Sequence, residues 1–352
     1  MNPLSRQDHL FGALFADPEV ESHWSTERFL SAFLQFESAL ARALAESGVV
    51  TAEQAGAAVE DIASFAPDVA KVAATTLVDG VPVPELLRQL QAHSREECLP
   101  AIHRGATSQD LIDTAFVLIL RDINALLEAR IESVIDGFSA LDAKWGAGSM
   151  MGRTRMQAAV PILVSDRIRA WTAPLSDHLR SLTALRPRLE VLQYSGAVGN
   201  RSALGPDGDA VARVLGRELG LGEPGRGWHT ERGVFAEYAG LLSMISATLG
   251  KFGQDICLMA QQQDGELEML GGGTSSAMPH KQNPVLAELL VTHARFNATM
   301  LPNMHHAMIH EQERSGAAWT LEWMTLPQMT VTTGKALRMA DDLQRKIVRL
   351  GA

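Results

Sequence analysis

The run SQDLIDTAFVLILRDINALLEARIESVIDGFSAL, residues 108–141, decides the fold. Its apolar residues recur at helical spacing from Ser108 to Leu141, without strand-like alternation. Four further runs share this texture: Ala159 to Leu185, Glu231 to Gln263, Pro284 to Glu313 and Leu326 to Leu350. Helices of about 30 residues span about 45 Å at 1.5 Å per residue. Such lengths exceed an ordinary globular domain and point to a bundle that continues across subunits. Pro284 and Pro161 suit the first turns of their helices, where a missing N–H costs nothing. Alternating Val/Ile/Thr runs are scarce, so the expected class is all-α.

Outward from this run, the N-terminal part has a smaller scale. Phe29, Phe33, Leu34, Phe36, Leu40 and Leu44 lie near helical spacing between Ser25 and Ser47, and Gly48 supplies a stop. Thr51-Ala52-Glu53-Gln54 reads as a capping box opening another helix. The expected division is a helical domain over residues 1–104 and a long-helix domain over residues 105–352. The 352 residues carry a formal net charge of -10, which argues against a broad basic surface for nucleic acid. An anionic ligand must therefore be held by a local cluster of cations. Cys98 and Cys257 have no CxxC spacing and read as reduced thiols. The start lacks a basic segment followed by an apolar stretch, and no run approaches 18 apolar residues, so a soluble cytoplasmic protein without a membrane partner is expected.

Three separated segments set short hydroxyl or amide side chains beside a cation at a helix boundary. In the first, His103-Arg104-Gly105-Ala106-Thr107-Ser108-Gln109-Asp110, the hydroxyls of Thr107 and Ser108 stand where a long helix begins and can bind a carboxylate with the free N–H groups. Taken alone, this is also an ordinary N-cap. The second, Gly152-Arg153-Thr154-Arg155-Met156-Gln157, carries two arginines able to clamp a polyanion. The third lies within Asp264 to Asn283, about twenty residues without periodicity, and reads as an active-site lid hinged at Gly271-Gly272-Gly273. Lys281 and Asn283 precede the helix at Pro284 and suit an anion, while Ser275 or Ser276 suits proton transfer at carbon once desolvated. The G-x-S-x-G pattern is absent, and His305-His306 with His310 lack a metal-binding pattern, so no metal or cofactor is expected.

The lid Ser275-Ser276-Ala277-Met278-Pro279-His280-Lys281-Gln282-Asn283-Pro284 resembles the signature of the fumarase/aspartase superfamily. Thr107-Ser108-Gln109-Asp110 with Asp113-Thr114, and Gly152-Arg153-Thr154 with Gln157, match two further regions of that family in the expected order. The resemblance implies a homotetramer with a central long-helix bundle and active sites built from three subunits. It also implies that this chain is shorter than relatives carrying a separate C-terminal helical domain. Ser275 would transfer the proton, and Lys281 with Asn283 would hold the carboxylate next to the reacting carbon. Thr107, Ser108, Arg153, Thr154 and Gln157 would complete the cradle, with His103, Ser276 and Met278 beside them.

Finer features resemble the 3-carboxymuconate cycloisomerases of this superfamily: Trp228-His229-Thr230-Glu231-Arg232, and Glu311-Gln312-Glu313-Arg314-Ser315 followed by Trp319. They add His229, Arg232 and Arg314 to the implied substrate-binding set. Arg155 stands where lyases of the superfamily usually place a histidine that protonates the leaving group. Arginine is a poor proton donor. A lactonising enzyme needs no such acid, because its nucleophile is a substrate carboxylate that attacks and departs as an anion. The expected substrate is thus a polycarboxylate; the alternatives are a fumarate-releasing lyase of the adenylosuccinate or argininosuccinate type and a non-catalytic helical relative.

Overall fold

A computed structural model describes residues 8–261, 265–274, 276–278 and 282–351. The catalytic expectations at Ser275 and Lys281 lie outside these residues. The N-terminal part contains α1 (Gly12–Phe15), α2 (Pro18–His23), α3 (Thr26–Glu46), α4 (Ala52–Ser64), α5 (Val69–Asp79) and α6 (Val83–His93). Ser25 caps α3 by accepting from Arg28 N, and Thr51 and Gln54 form the reciprocal capping box of α4. A 3-10 segment, Glu96–Ala101, leads to His103.

The long helices follow: α7 (Ser108–Trp145), α8 (Val164–Leu189), the shorter α9 (Gly208–Leu219), α10 (Gly233–Gln261), α11 (Val285–His306) and α12 (Ala317–Lys346). Gln109 to Leu120 of α7 are buried on every face of the helix, which places α7 at the bundle centre. Phe138 of α7, Trp171 of α8 and Phe252 of α10 pack ring on ring, with the Phe138–Phe252 centroids 4.9 Å apart and edge to face. Asn297 of α11 ties three helices by donating to Ser246 Oγ at 2.7 Å and Thr333 Oγ1 at 2.9 Å. Gly253 lets α10 and α11 approach closely: a Cβ there would lie 2.4 Å from the Ala287 carbonyl oxygen. Helix α10 is apolar enough by length and composition to cross a membrane, with mean hydropathy 1.2, yet 56% of that window is buried inside the bundle. One cluster of buried apolar side chains runs from Val20 to Leu350 and is continuous across the expected boundary at residue 104.

Several boundaries differ from expectation. Residues 159–163 are not helical; β1 (Ser149–Thr154) and β2 (Gln157–Leu163) form an antiparallel hairpin, with Pro161 opposite Met151. Proline donates nothing to a ladder and is tolerated in a two-stranded ribbon, whose strands are both edges. The Gly152–Gln157 segment therefore turns a hairpin and does not open a helix. Its two turn residues, Arg155 and Met156, have φ of 48° and 68°. Helix α11 stops at His306, leaving residues 307–316 outside the helices. Helix α12 gives way to β6 (Ile347–Leu350), which pairs with β3 (Leu267–Met269) at the stem of the expected lid. Further along, β4 (Gly273–Thr274) pairs with β5 (Gln282–Asn283). Only Gly271 of the glycine triplet has positive φ; Gly272 and Gly273 serve close packing, since a Cβ on either would lie 2.6 Å from Gln282 or Val285.

Candidate active site

At the head of α7, four donors from three segments meet on Asp110, which is fully buried. Its Oδ1 accepts from Ser195 N at 2.9 Å and His229 Nε2 at 2.8 Å. Its Oδ2 accepts from Gly196 N at 2.8 Å and Thr107 N at 3.0 Å. A carboxylate only accepts, so His229 carries its proton on Nε2 toward Asp110. The other ring nitrogen, Nδ1, is buried and has no hydrogen-bond partner among the described residues. Gln109 Nε2 donates to the His229 carbonyl at 3.0 Å and fixes the segment from below.

Arg314 closes this group from the 307–316 segment. Its Nη2 donates to Thr107 Oγ1 and to the Ala197 carbonyl, each at 3.1 Å. Among the described residues no carboxylate pairs with it. An uncompensated guanidinium thus stands at the N-terminus of a 38-residue helix, where helix dipole and free N–H groups also favour an anion. Ser108, the first residue of α7, is half-buried beside it.

His103 belongs to the same end. Its backbone N–H donates to Glu37 Oε2 at 2.8 Å, and its Nδ1 lies 2.6 Å from Glu37 Oε1. The pair steadies a residue held at φ 53°, a conformation that costs an L-residue about 1 kcal/mol. Burial disfavours the charged ring, but the charge and hydrogen bond of Glu37, with Asp110 further off, outweigh it and hold the pKa above its ordinary value.

Arg232 departs from the expected role of substrate clamp. It is buried, its Nη1 and Nη2 bind Asp113 at 2.8 and 3.2 Å, and Nε binds Glu322 at 2.9 Å. Its guanidinium also lies over the rings of Trp228 and Phe235, at 5.0 and 4.6 Å. With two carboxylates already on it, this arginine braces α7, α12 and the start of α10 rather than presenting a free charge. Asp113 accepts in addition from Trp319 Nε1 at 2.9 Å.

The remaining expected residues gather at the opposite end of α7. Arg153 Nη1 donates to Glu266 Oε2 at 3.0 Å, which ties the hairpin to the lid stem. Thr154, Arg155 and Gln157 are exposed along the hairpin tip. Ser276 and Met278 are exposed on the lid, and Asn283 is half-buried opposite Gly273. A 38-residue helix is roughly 57 Å long, so one chain holds the two groups about that far apart. His103, Thr107, Ser108, His229 and Arg314 come together; Arg153, Thr154, Arg155, Gln157, Ser276, Met278 and Asn283 lie at the far end. Among the described residues, no three His, Cys, Asp or Glu side chains converge as metal ligands. Sequence reading passes over the partners Glu37 and Glu266; the available signal is an acidic residue on an otherwise apolar helical face, as at Glu37 between Phe36 and Leu40.

A family model described as Lyase matches residues 7–296, and the chain belongs to this family, within the fumarase/aspartase superfamily. It is 36% identical over 341 residues to the 3-carboxy-cis,cis-muconate cycloisomerase of Pseudomonas aeruginosa, spanning 95% of this chain and 74% of that protein. The crystal structure of 3-carboxy-cis,cis-muconate lactonizing enzyme from Pseudomonas putida is similar with a TM-score of 0.88 and 35% identity, over 96% of this chain and 76% of that one. A fumarate lyase from Mesorhizobium sp. BNC1 is similar with a TM-score of 0.89 and 34% identity, over the same shares.

Proposed function

We propose that this chain lactonises 3-carboxy-cis,cis-muconate to 4-carboxymuconolactone as a cytoplasmic homotetramer without a cofactor. The observation that carries the reading is Arg314, which has no carboxylate partner among the described residues and is bonded to Thr107 at the head of α7. Similarity to named cycloisomerases over 95% of the chain supports the substrate. Arg155, exposed where the lyases carry an acid, supports a leaving group that needs no proton.

In this reading one substrate carboxylate oxygen bonds to an alkene carbon, and the π electrons move into the neighbouring carboxylate as a dianionic enediolate. Lys281 and Asn283 of the lid stabilise that charge, and Ser275 delivers the proton to carbon. Every atom of the substrate is retained, so the reaction is an isomerisation. Arg314, Thr107, Ser108 and His103 hold the distal carboxylates, and His229 would join them only as the imidazolium, with a second proton on Nδ1. Arg153, Thr154, Arg155, Gln157, Ser276 and Met278 arrive from other copies, because one chain separates the two groups by the length of α7. The exposed apolar residues of the hairpin, Met156, Val160 and Leu163, fit burial against a neighbouring copy.

The test is turnover of the purified protein on 3-carboxymuconate beside adenylosuccinate and argininosuccinate, followed in the ultraviolet. Loss of carboxymuconate absorbance supports the reading, whereas appearance of fumarate supports the lyase alternative. Ser275→Ala should lower kcat by about 10²- to 10⁴-fold with an unchanged fold; near-normal turnover removes the serine from the mechanism.

A further inference from the structure

On the flank of the first turns of α7, at Ile112 and Phe116, helices α1, α2, α3 and α5 face α7, α11 and α12 across a cavity of about 880 Å³. The chain has only 11 Phe, 6 Trp and 2 Tyr, yet five of the phenylalanines and two of the tryptophans line this one space. Trp24, Phe29 and Phe116 form a ring cluster at one end, with centroids 5.2 to 6.1 Å apart. Trp24 satisfies its N–H on Thr330 Oγ1 at 2.9 Å, which leaves its faces for packing. At the other end Phe15 meets the His293 ring edge to face. The rim carries Val69, Ala73 and Met324, all exposed.

Among the described residues no lysine or arginine lines the cavity, so it differs in kind from the Arg314 site; Lys335 acts on Glu21 and His293 from outside the lining. Its two ionisable groups are Glu21 and His293. Burial raises the pKa of Glu21 and lowers that of His293 to about 4, so both move toward their neutral forms. Volume, concavity and an aromatic wall with a few polar groups are the attributes of a small-molecule site. Trp323, on the wall, also stacks edge to face on Trp319 at 4.7 Å, and Trp319 donates to Asp113 of α7.

We propose that this cavity binds an uncharged, ring-bearing organic molecule, independently of the polyanion site. The experiment titrates the intact assembly with 1-naphthol and with 1-naphthoate, following tryptophan fluorescence and heat. One molecule of 1-naphthol should bind per chain, saturably and at least ten-fold more tightly than 1-naphthoate. Ala73→Trp and Val69→Trp, both exposed rim positions on α5, should each weaken 1-naphthol at least ten-fold while turnover stays unchanged. No saturable binding, equal binding of the two probes, or binding untouched by both variants overturns the proposal. It is equally overturned if 1-naphthol fails to bind and the rim variants lower the mass of the assembly, because a second copy then fills the space.

Discussion

Arg314 and Arg232 show how two arginines near one helix end come to opposite uses. Arg232 gives its charge to Asp113 and Glu322, whereas among the described residues Arg314 binds only a hydroxyl and a carbonyl. Arg314→Ala should leave stability nearly unchanged and lower kcat/KM on the tricarboxylate by one to two orders of magnitude, corresponding to the ~1.5–3 kcal/mol of a hydrogen bond to a charged group. Arg232→Ala leaves two buried carboxylates unpaired and should cost about 3–5 kcal/mol of folding stability, read from urea melts. Equal loss of stability in the two variants would contradict this division. Two histidines contribute to the pH dependence of stability. The His103 pKa is raised by Glu37, so its contribution is complete below the unfolded value of about 6.5 and is lost as pH rises through the higher folded value. His293 is pushed down to about 4, so the unfolded chain binds its proton first and stability falls as pH drops from about 6.5 toward 4. Chemical denaturation against pH should therefore fall less steeply just above neutrality in His103→Asn and lose part of its acid limb in His293→Phe.

Among the elements, the β1–β2 hairpin departs most from the helical reading. Hairpins of two residues favour turns with positive φ, usually made by Asn-Gly, and this one makes its turn from Arg155 and Met156. Met156→Gly should stabilise the protein by about 0.5–1 kcal/mol by removing that strain, and thermal melts that fall instead would show the Met156 side chain to be buried in the assembly. Gly253→Ala should destabilise by about 1–3 kcal/mol, because a methyl group there meets the α11 backbone at Ala287. Helix interiors are legible in the sequence because apolar residues at 3.6-residue spacing have one packing solution, and Thr51 with Gln54 marks a start within a residue. The hairpin is not legible: Val160-Pro161-Ile162 fits a helix start as well as a strand, and the turn lacks its usual residues. The stop of α11 at His306 is hidden for a related reason, since apolar residues continue to Ile309 while the chain already turns away toward the Arg314–Thr107 contact.

On the scale of the molecule, α7 sets the distance that governs function. The local chemistry of Thr107, Arg153 and Asn283 is legible as three partial anion sites, but their separation follows from helix length and direction. The pairings of Glu37, Glu266 and Glu322 stay invisible to motif reading because each acts across 66 or more residues of chain, through a partner that only the fold supplies. In the proposed assembly, the Arg314 end of one copy works with the hairpin and lid of others. The most direct measurement mixes two impaired variants, Arg314→Ala and Ser275→Ala, unfolds them together and refolds them as hybrids. If the site is shared, some positions in the hybrids combine an intact Arg314 with an intact Ser275, and activity should rise well above either parent refolded alone. Hybrids no more active than their parents, at the same assembly mass, would mean that each chain completes its own site.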